Sequence, residues 1–325
     1  MDKTLKAALE SVIVGVATIA LAMLLFFIPI LNILVLLFPI PFIVVGVRRG
    51  MLGGIVSLAI ACFVLGLLID PFLGIIAFAL NIFIVLSLIV VYKKKLEMNE
   101  GIVLSAAGVL LSALLFLHVF TWIRGETFFD FLLNNIKVVL ESNSVVIQEF
   151  IKQYQALGML EEGYSVERFI QRVIGQLRDL LPLFPSMLLI NSLIMGGLSF
   201  LVSRFVLKKL KVPTPYVPPF RYWSLPKGTG RGFLGIMLIA TIGTWMNVSN
   251  FDIVLYTVSS VFTFVFTVQG LSVANFFLTE KGMPGVVVVL ILVLAFIFLS
   301  VALMFLGIFD QIFGVRKVYN SRRRD

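Results

Sequence analysis

The sequence predicts an all-α protein, a polytopic transmembrane helical bundle of about eight spans (eight or nine by count), with an amphipathic helical insertion between spans five and six. Three observations predict it. Of 325 residues, 60% are hydrophobic and 13% charged, where a soluble domain carries about 25% charged; mean hydropathy is +1.09. Nine segments approach the roughly 20 apolar residues that a helix needs to cross a bilayer core about 30 Å thick. Lys and Arg collect at alternate connections, the pattern that orients a chain in a membrane. Too little polar side chain remains to cover a soluble enzyme of this length. The single cysteine, Cys62, excludes a disulfide scaffold and sits in an apolar run where packing is its expected role. The formal net charge of +9 arises beside the spans, so the expected partner is the lipid bilayer and not nucleic acid.

The segments run over 7–27, 31–47, 51–69, 72–92, 102–123, 183–207, 232–248, 252–278 and 284–308. The first reads as a span and not a cleaved leader: it is long, Glu10 lies inside its start, and no small-residue cleavage pattern follows. Pro39 and Pro41 predict a kink in the short second segment. Gly46, Gly50 and Gly54 recur every four residues, which suits close helix approach. Because Arg48 and Arg49 interrupt the run, a tight turn between spans two and three is the favoured reading. Asp70, before Pro71, is placed to cap the fourth helix.

Lys3 and Lys6, Arg48 and Arg49, Lys93 to Lys95, and Arg204 with Lys208, Lys209 and Lys211 mark one side of the membrane. The connections after spans one, three and seven hold no Lys or Arg. This predicts a multi-pass protein of the bacterial cytoplasmic (inner) membrane with a cytoplasmic N-terminus. The tail residues Arg316, Lys317, Arg322, Arg323 and Arg324 belong to the same side, which nine crossings forbid. Eight crossings result if one segment does not cross or if the run 284–313 turns back as a helical hairpin.

Three parts follow: a five-helix membrane part over 1–123, an extracytoplasmic insertion over 124–182, and a second membrane part over 183–325. The insertion holds six basic and eight acidic residues, and its apolar residues are periodic. Phe128, Phe129, Leu132, Leu133, Ile136, Val139 and Leu140 form one stripe, Phe150, Ile151, Tyr154 and Leu157 a second. Ser165 is expected to cap a third helix, and Gly158 and Gly163 bracket a turn. In the last part, the cytoplasmic loop 211–232 is stiffened by Pro213, Pro215, Pro218, Pro219 and Pro226. Its Arg221, Tyr222 and Trp223 suit headgroup or partner contact. The basic tail 314–325 is expected to lie on the inner leaflet, with Arg322, Arg323 and Arg324 against anionic lipid.

Polar groups at membrane depth are the candidates for function. Asn81, Asn191, Gln269 and Asn275 lie within spans, and His118 sits four residues before Trp122 near an outer helix end. Amides of this kind hold helices together or orient a polar ligand. Asn81, His118 and Asn191 are expected to face one outer-half cavity, and Gln269 joins them as a ligand-binding candidate. One histidine cannot build a zinc site, and no Cys cluster or paired carboxylates are present. No metal, no cofactor and no enzymatic activity are therefore expected.

Three stretches carry a resemblance: FPIPFIVVGVRRGMLGG at 38–54, VPPFRYWSLPKG at 217–228, and QGLSVANFFLTEKG…FLGIFDQIFGVRK over 269–317. With the span layout, they resemble the YybS-like family of bacterial membrane proteins, a domain of unknown function, over essentially the full chain. That resemblance implies a membrane protein and brings no catalytic residues. The first 125 residues are also similar in apolar pattern to substrate-binding subunits of energy-coupling-factor vitamin transporters and to the cell-shape protein MreD. The vitamin-transporter likeness implies a small-molecule-binding or transport component. The alternative is a non-catalytic membrane scaffold, a morphogenesis or envelope partner that recruits membrane or cytoplasmic proteins through loop 213–226 and the basic tail.

Overall fold

The computed structural model describes residues 37–161 and 163–322. The first apolar run, with Glu10, lies outside the described residues. Helix α1 (Ile40–Arg49) starts where a kink was expected. Pro39 is its N-cap and Pro41 lies in its first turn, where a missing N–H leaves no intrahelical bond unmade. Gly50, at φ +109°, ends α1 and begins α2 (Met51–Leu68). Only glycine adopts that backbone without strain. Gly46 and Gly54 face each other across this turn: a Cβ on Gly54 would lie 3.0 Å from the Gly46 Cα, and one on Gly46 would collide with Ile89. The three glycines thus make both the turn and the close approach.

Asp70 caps α3 (Pro71–Lys94), its Oδ1 accepting from the Leu73 N–H at 3.1 Å. Helix α4 (Met98–Arg124) opens on a reciprocal capping box between Glu97 and Glu100 and packs along α3. The insertion forms α5 (Phe128–Ser142), α6 (Ser144–Ala156) and α7 (Val166–Asp179). Ser165 caps α7 through the Arg168 N–H, and Gly158 and Gly163 both take positive φ, as the turn requires. The Glu167 carboxyl in that cap is held below the usual carboxylate range by its own backbone N–H and by the Ser165 hydroxyl. Leu133, Ile147, Ile151 and Ile170 are the buried residues of the three helices.

Helix α8 (Phe184–Lys209) returns along α4. Gly196 lies against the Ala106 backbone, and the Tyr92 hydroxyl bonds the Phe200 carbonyl and Ser203 Oγ, each at 2.7 Å. Phe42, Ile43, Leu58, Val85, Leu88, Ile89, Phe200 and Leu207 form the sealed centre of this group. Helices α9 (Thr229–Trp245) and α10 (Phe251–Glu280) continue the bundle. The last apolar run is broken. Helices α11 (Gly285–Phe298) and α12 (Ser300–Phe313) meet at Leu299 with a bend of 106°, and α13 (Val315–Arg322) follows Gly314 at φ +61°.

The bundle has two dissimilar ends. At one, Arg48 Nη2 donates to the Leu210 carbonyl at 3.3 Å and Asn99 to the Ser224 carbonyl at 3.4 Å, which joins the α1–α2 turn, the end of α8 and the proline-rich loop. At the other, Arg124 lies 4.6 Å over the Phe72 ring, beside a cluster of Phe116, Phe120, Phe128 and Phe131 that roots the insertion. Helix α4, roughly 40 Å long at 1.5 Å per residue, connects the two.

Among the described residues, α2, α3, α4, α10 and the run Val166–Lys209 ending in α8 are long and apolar enough to cross a membrane. The bent pair α11–α12 gives six if it counts as one span. The chain is a helical membrane protein. Eight or nine spans are not reached by this measure, because 7–27 lies outside the described residues, α1 has 10 residues and α9 has 17.

Candidate functional site at the broken helix

Hydroxyl side chains inside apolar helices ordinarily bond back to the carbonyl one turn before, and most in this bundle do. Ser57 bonds to Gly53, Ser105 to Gly101, Ser192 to Leu188 and Thr244 to Ala240, at 2.6–2.9 Å. The N-terminal part of α10 is different. Tyr256, Ser259, Ser260, Thr263 and Thr267 fall at helical spacing on one face. With Phe264 of the same helix they line an open cleft of about 420 Å³, faced by Phe296 of α11 and Ser300 of α12. Of these hydroxyls only Thr267 donates, to the Thr263 carbonyl at 2.7 Å, with the Ser300 carbonyl 3.3 Å away. Ser259, Ser260, Thr263 and Ser300 make no side-chain hydrogen bond among the described residues.

The break places this cleft. Leu299, at φ −126° and ψ 26°, leaves helical geometry, and the ladder resumes with the Leu303 N–H on the Leu299 carbonyl. Irregular backbone at membrane depth is tolerated where it is buried in protein or lines a cavity. Close approach of α12 to α10 holds the break in place. A Cβ on Gly270 would collide with the Leu303 carbonyl, and one on Gly307 with the Phe266 carbonyl.

At the far end of α12 a second polar cluster is fully used. Asp310 accepts from Arg316 Nη2 at 2.6 Å and from Nε at 3.3 Å. Arg316 Nη1 donates to the Arg221 carbonyl (2.9 Å) and to Ser272 Oγ (3.0 Å). Ser272 Oγ sits 2.7 Å from the Phe220 carbonyl and 2.8 Å from that of Trp223. Gln269 Nε2 donates to Asp310 (3.1 Å) and Gln311 (3.3 Å), its Oε1 accepts from the Leu225 N–H (3.3 Å), and Gln311 donates to the Pro226 carbonyl (2.8 Å). Charge inside, carbonyl acceptors outside: the cluster clamps the proline-rich loop to α10 and α12.

Several sequence-designated residues sit elsewhere. Asn81, half-buried, donates back to the Ala77 carbonyl at 2.8 Å. His118 and Asn191 are exposed on α4 and α8, and none of the three lines the cleft. Gln269 is 3% exposed with its amide engaged on both atoms. In the loop, Trp223 Nε1 donates to the Pro218 carbonyl, Arg221 stacks 4.9 Å from the Tyr222 ring, and Tyr222 packs on Phe276. Arg316, expected on the lipid surface with the tail, turns inward because Asp310 offers a paired site. Arg322 closes α13; Arg323 and Arg324 lie outside the described residues. The hydroxyl face of α10 and the Asp310–Arg316 pair were not singled out from the sequence. Their signals are there: hydroxyls at i, i+1, i+4 and i+8 from Ser259 in an apolar helix, and an aspartate six residues before an arginine in GIFDQIFGVRK.

The comparisons agree with a membrane fold. A family described as "Predicted membrane protein (DUF2232)" matches residues 16–311. "Uncharacterized protein YybS" of Bacillus subtilis (strain 168) is 22% identical over 317 residues, covering 97% of this chain and 98% of that protein. No solved structure matches the chain. The match over most of the chain's length settles the classification: it belongs to the DUF2232 family of predicted membrane proteins.

Proposed function

We propose that this protein is a small-molecule-binding component of the bacterial cytoplasmic membrane, of the kind that serves transport, with its ligand seated at the α11–α12 break. One observation carries the proposal: Ser259, Ser260, Thr263 and Ser300 present unpaired hydroxyls to a single cleft at an interrupted helix. Discontinuous helices supply polar groups to substrates in many transporters, and the volume is within the ordinary range for small ligands. The topology that accompanies it has eight crossings and a cytoplasmic N-terminus, with the α11–α12 bend turning the last run back as a hairpin. The test is native mass spectrometry of the full-length protein in nanodiscs. The wild-type protein should carry a small molecule that Thr263→Phe, which fills the cleft, does not carry at the same melting temperature. Identical spectra from both would sink the proposal.

The scaffold alternative is favoured by one observation of its own. The loop is held rigidly by the Arg316 cluster, yet Tyr216 is 76% exposed on it. It expects partner capture to depend on Tyr216 and to ignore Thr263.

A further inference from the structure

The chemistry of the cleft narrows the ligand. Among the described residues, its lining holds hydroxyls, two phenylalanines and the Tyr256 phenol, and no carboxylate, ammonium, guanidinium or imidazole. A charged headgroup brought here would lose its hydration without a counter-charge, which costs several kcal/mol. Along α10 the charged residue nearest the cleft is Asp252, one turn before Tyr256, and its negative charge opposes an anion there. The hydroxyls act as both donors and acceptors, which suits alcohol or carbonyl oxygens.

The surroundings give the second half of the argument. The cleft is open, and its flank is α11, whose GVVVVLILVLAFIF sequence has no polar side chain. Val286 (76%), Val289, Leu290, Val293, Leu294 and Ile297 (62%) are all exposed there. In a bilayer this flank is lipid-facing. The Phe296 ring belongs to both surfaces: it lines the cleft and is itself exposed. A ligand reaching the hydroxyls from this side passes over apolar side chains, and an apolar tail left on α11 would stay in hydrocarbon.

We infer that the cleft binds an uncharged amphiphile, with a hydroxyl- or carbonyl-bearing head on the Ser259–Ser260–Thr263–Ser300 cluster and an apolar tail along α11, admitted sideways from the bilayer. This rests on reading the cleft as the ligand seat and adds the ligand's class and route.

The experiment reconstitutes the full-length protein in phosphatidylcholine vesicles with one of three diazirine probes: a diacylglycerol, a phosphatidylglycerol, or glycerol without acyl chains. Labelled peptides spanning 251–300 are quantified after irradiation. The diacylglycerol probe should label this region selectively. Thr263→Phe should abolish that labelling, and the paired change Ser260→Ala with Thr263→Val, which keeps the shape, should weaken it roughly tenfold, as expected for two lost hydrogen bonds. The melting temperature of each variant shows whether it has folded, and the alanine–valine pair keeps the test decisive if Thr263→Phe does not. Equal labelling by phosphatidylglycerol, undiminished in the variants, would mean annular lipid and overturn the inference. Labelling by glycerol alone would overturn the amphiphile and its route while leaving a ligand seat intact. No specific labelling by any probe, together with identical native mass spectra, would remove the seat itself. A photoreactive residue at position 263 that cross-links to residues 7–27 would mean that the chain covers its own cleft, and would also overturn the inference.

Discussion

Among the described residues, Asp310 and Arg316 are the two most deeply buried charges, with side chains 6% and 11% exposed. Such a pair adds little net stability over an apolar replacement, but removing one partner strands the other. Arg316→Met should therefore lower unfolding stability in detergent by about 3–5 kcal/mol, and Asp310→Asn by a similar amount. The double change Asp310→Leu with Arg316→Met should recover most of that loss, read from denaturant midpoints; additive losses would show that the two residues do not act as a pair. Ser272 is the linking residue. Its hydroxyl is within reach of two loop carbonyls and accepts from Arg316. With Ser272→Ala, Arg316 and those carbonyls lose that partner, at roughly 1–3 kcal/mol for buried groups left unsatisfied.

At the scale of elements, the same cluster decides how the proline-rich loop behaves. Proline content predicts an extended segment, which it is on both sides of a short helical turn at Phe220–Tyr222. Proline content does not reveal that the loop is bolted down, because the bonds are accepted by its backbone carbonyls, which every sequence has. Trypsin should accordingly cut slowly at Arg221 and Lys227 in the folded protein and several-fold faster in Ser272→Ala; equal rates would show that the cluster does not hold the loop. The elements legible in the sequence were those set by local rules. Asp70 and Ser165 capped their helices, and Gly50 turned the chain where charge interrupted an apolar run. The break at Leu299 was legible only indirectly, through the tail charges that nine crossings could not place. Nothing at Leu299 itself marks it: neither proline nor glycine is there, and the bend is accompanied by tight contact between α10 and α12. Gly270→Leu should therefore disrupt this crossing and reduce the yield of folded protein sharply, whereas Gly235→Leu, whose Cβ meets nothing within 4 Å, should be neutral.

For the whole molecule, composition was sufficient for the class, and loop charge supplies an expectation of sidedness. The functional candidates were not legible in the same way. Asn81 satisfies itself on its own helix, and the cleft is assembled from α10 and a break that periodicity does not show. The two ends of α4 separate the basic connections from the insertion. Basic connections Arg48–Arg49, Lys93–Lys95 and Lys208–Lys211 belong to the end that carries the proline-rich loop, while the net-acidic insertion is rooted at the other. A membrane potential and anionic inner leaflet both favour the basic end inside. On a Cys62→Ala background, tolerable because the swap removes only one small buried group, Leu160→Cys should react with a membrane-impermeant maleimide added to intact cells. Lys94→Cys should react only after the cells are opened. Position 160 is half-exposed in the turn between α6 and α7, and position 94 is exposed at the end of α3, so neither result depends on unfolding. The reverse pattern would invert the protein in the membrane and put the proline-rich loop outside. Labelling of both in intact cells would mean that α4 does not cross, and the eight-crossing topology would fall with it.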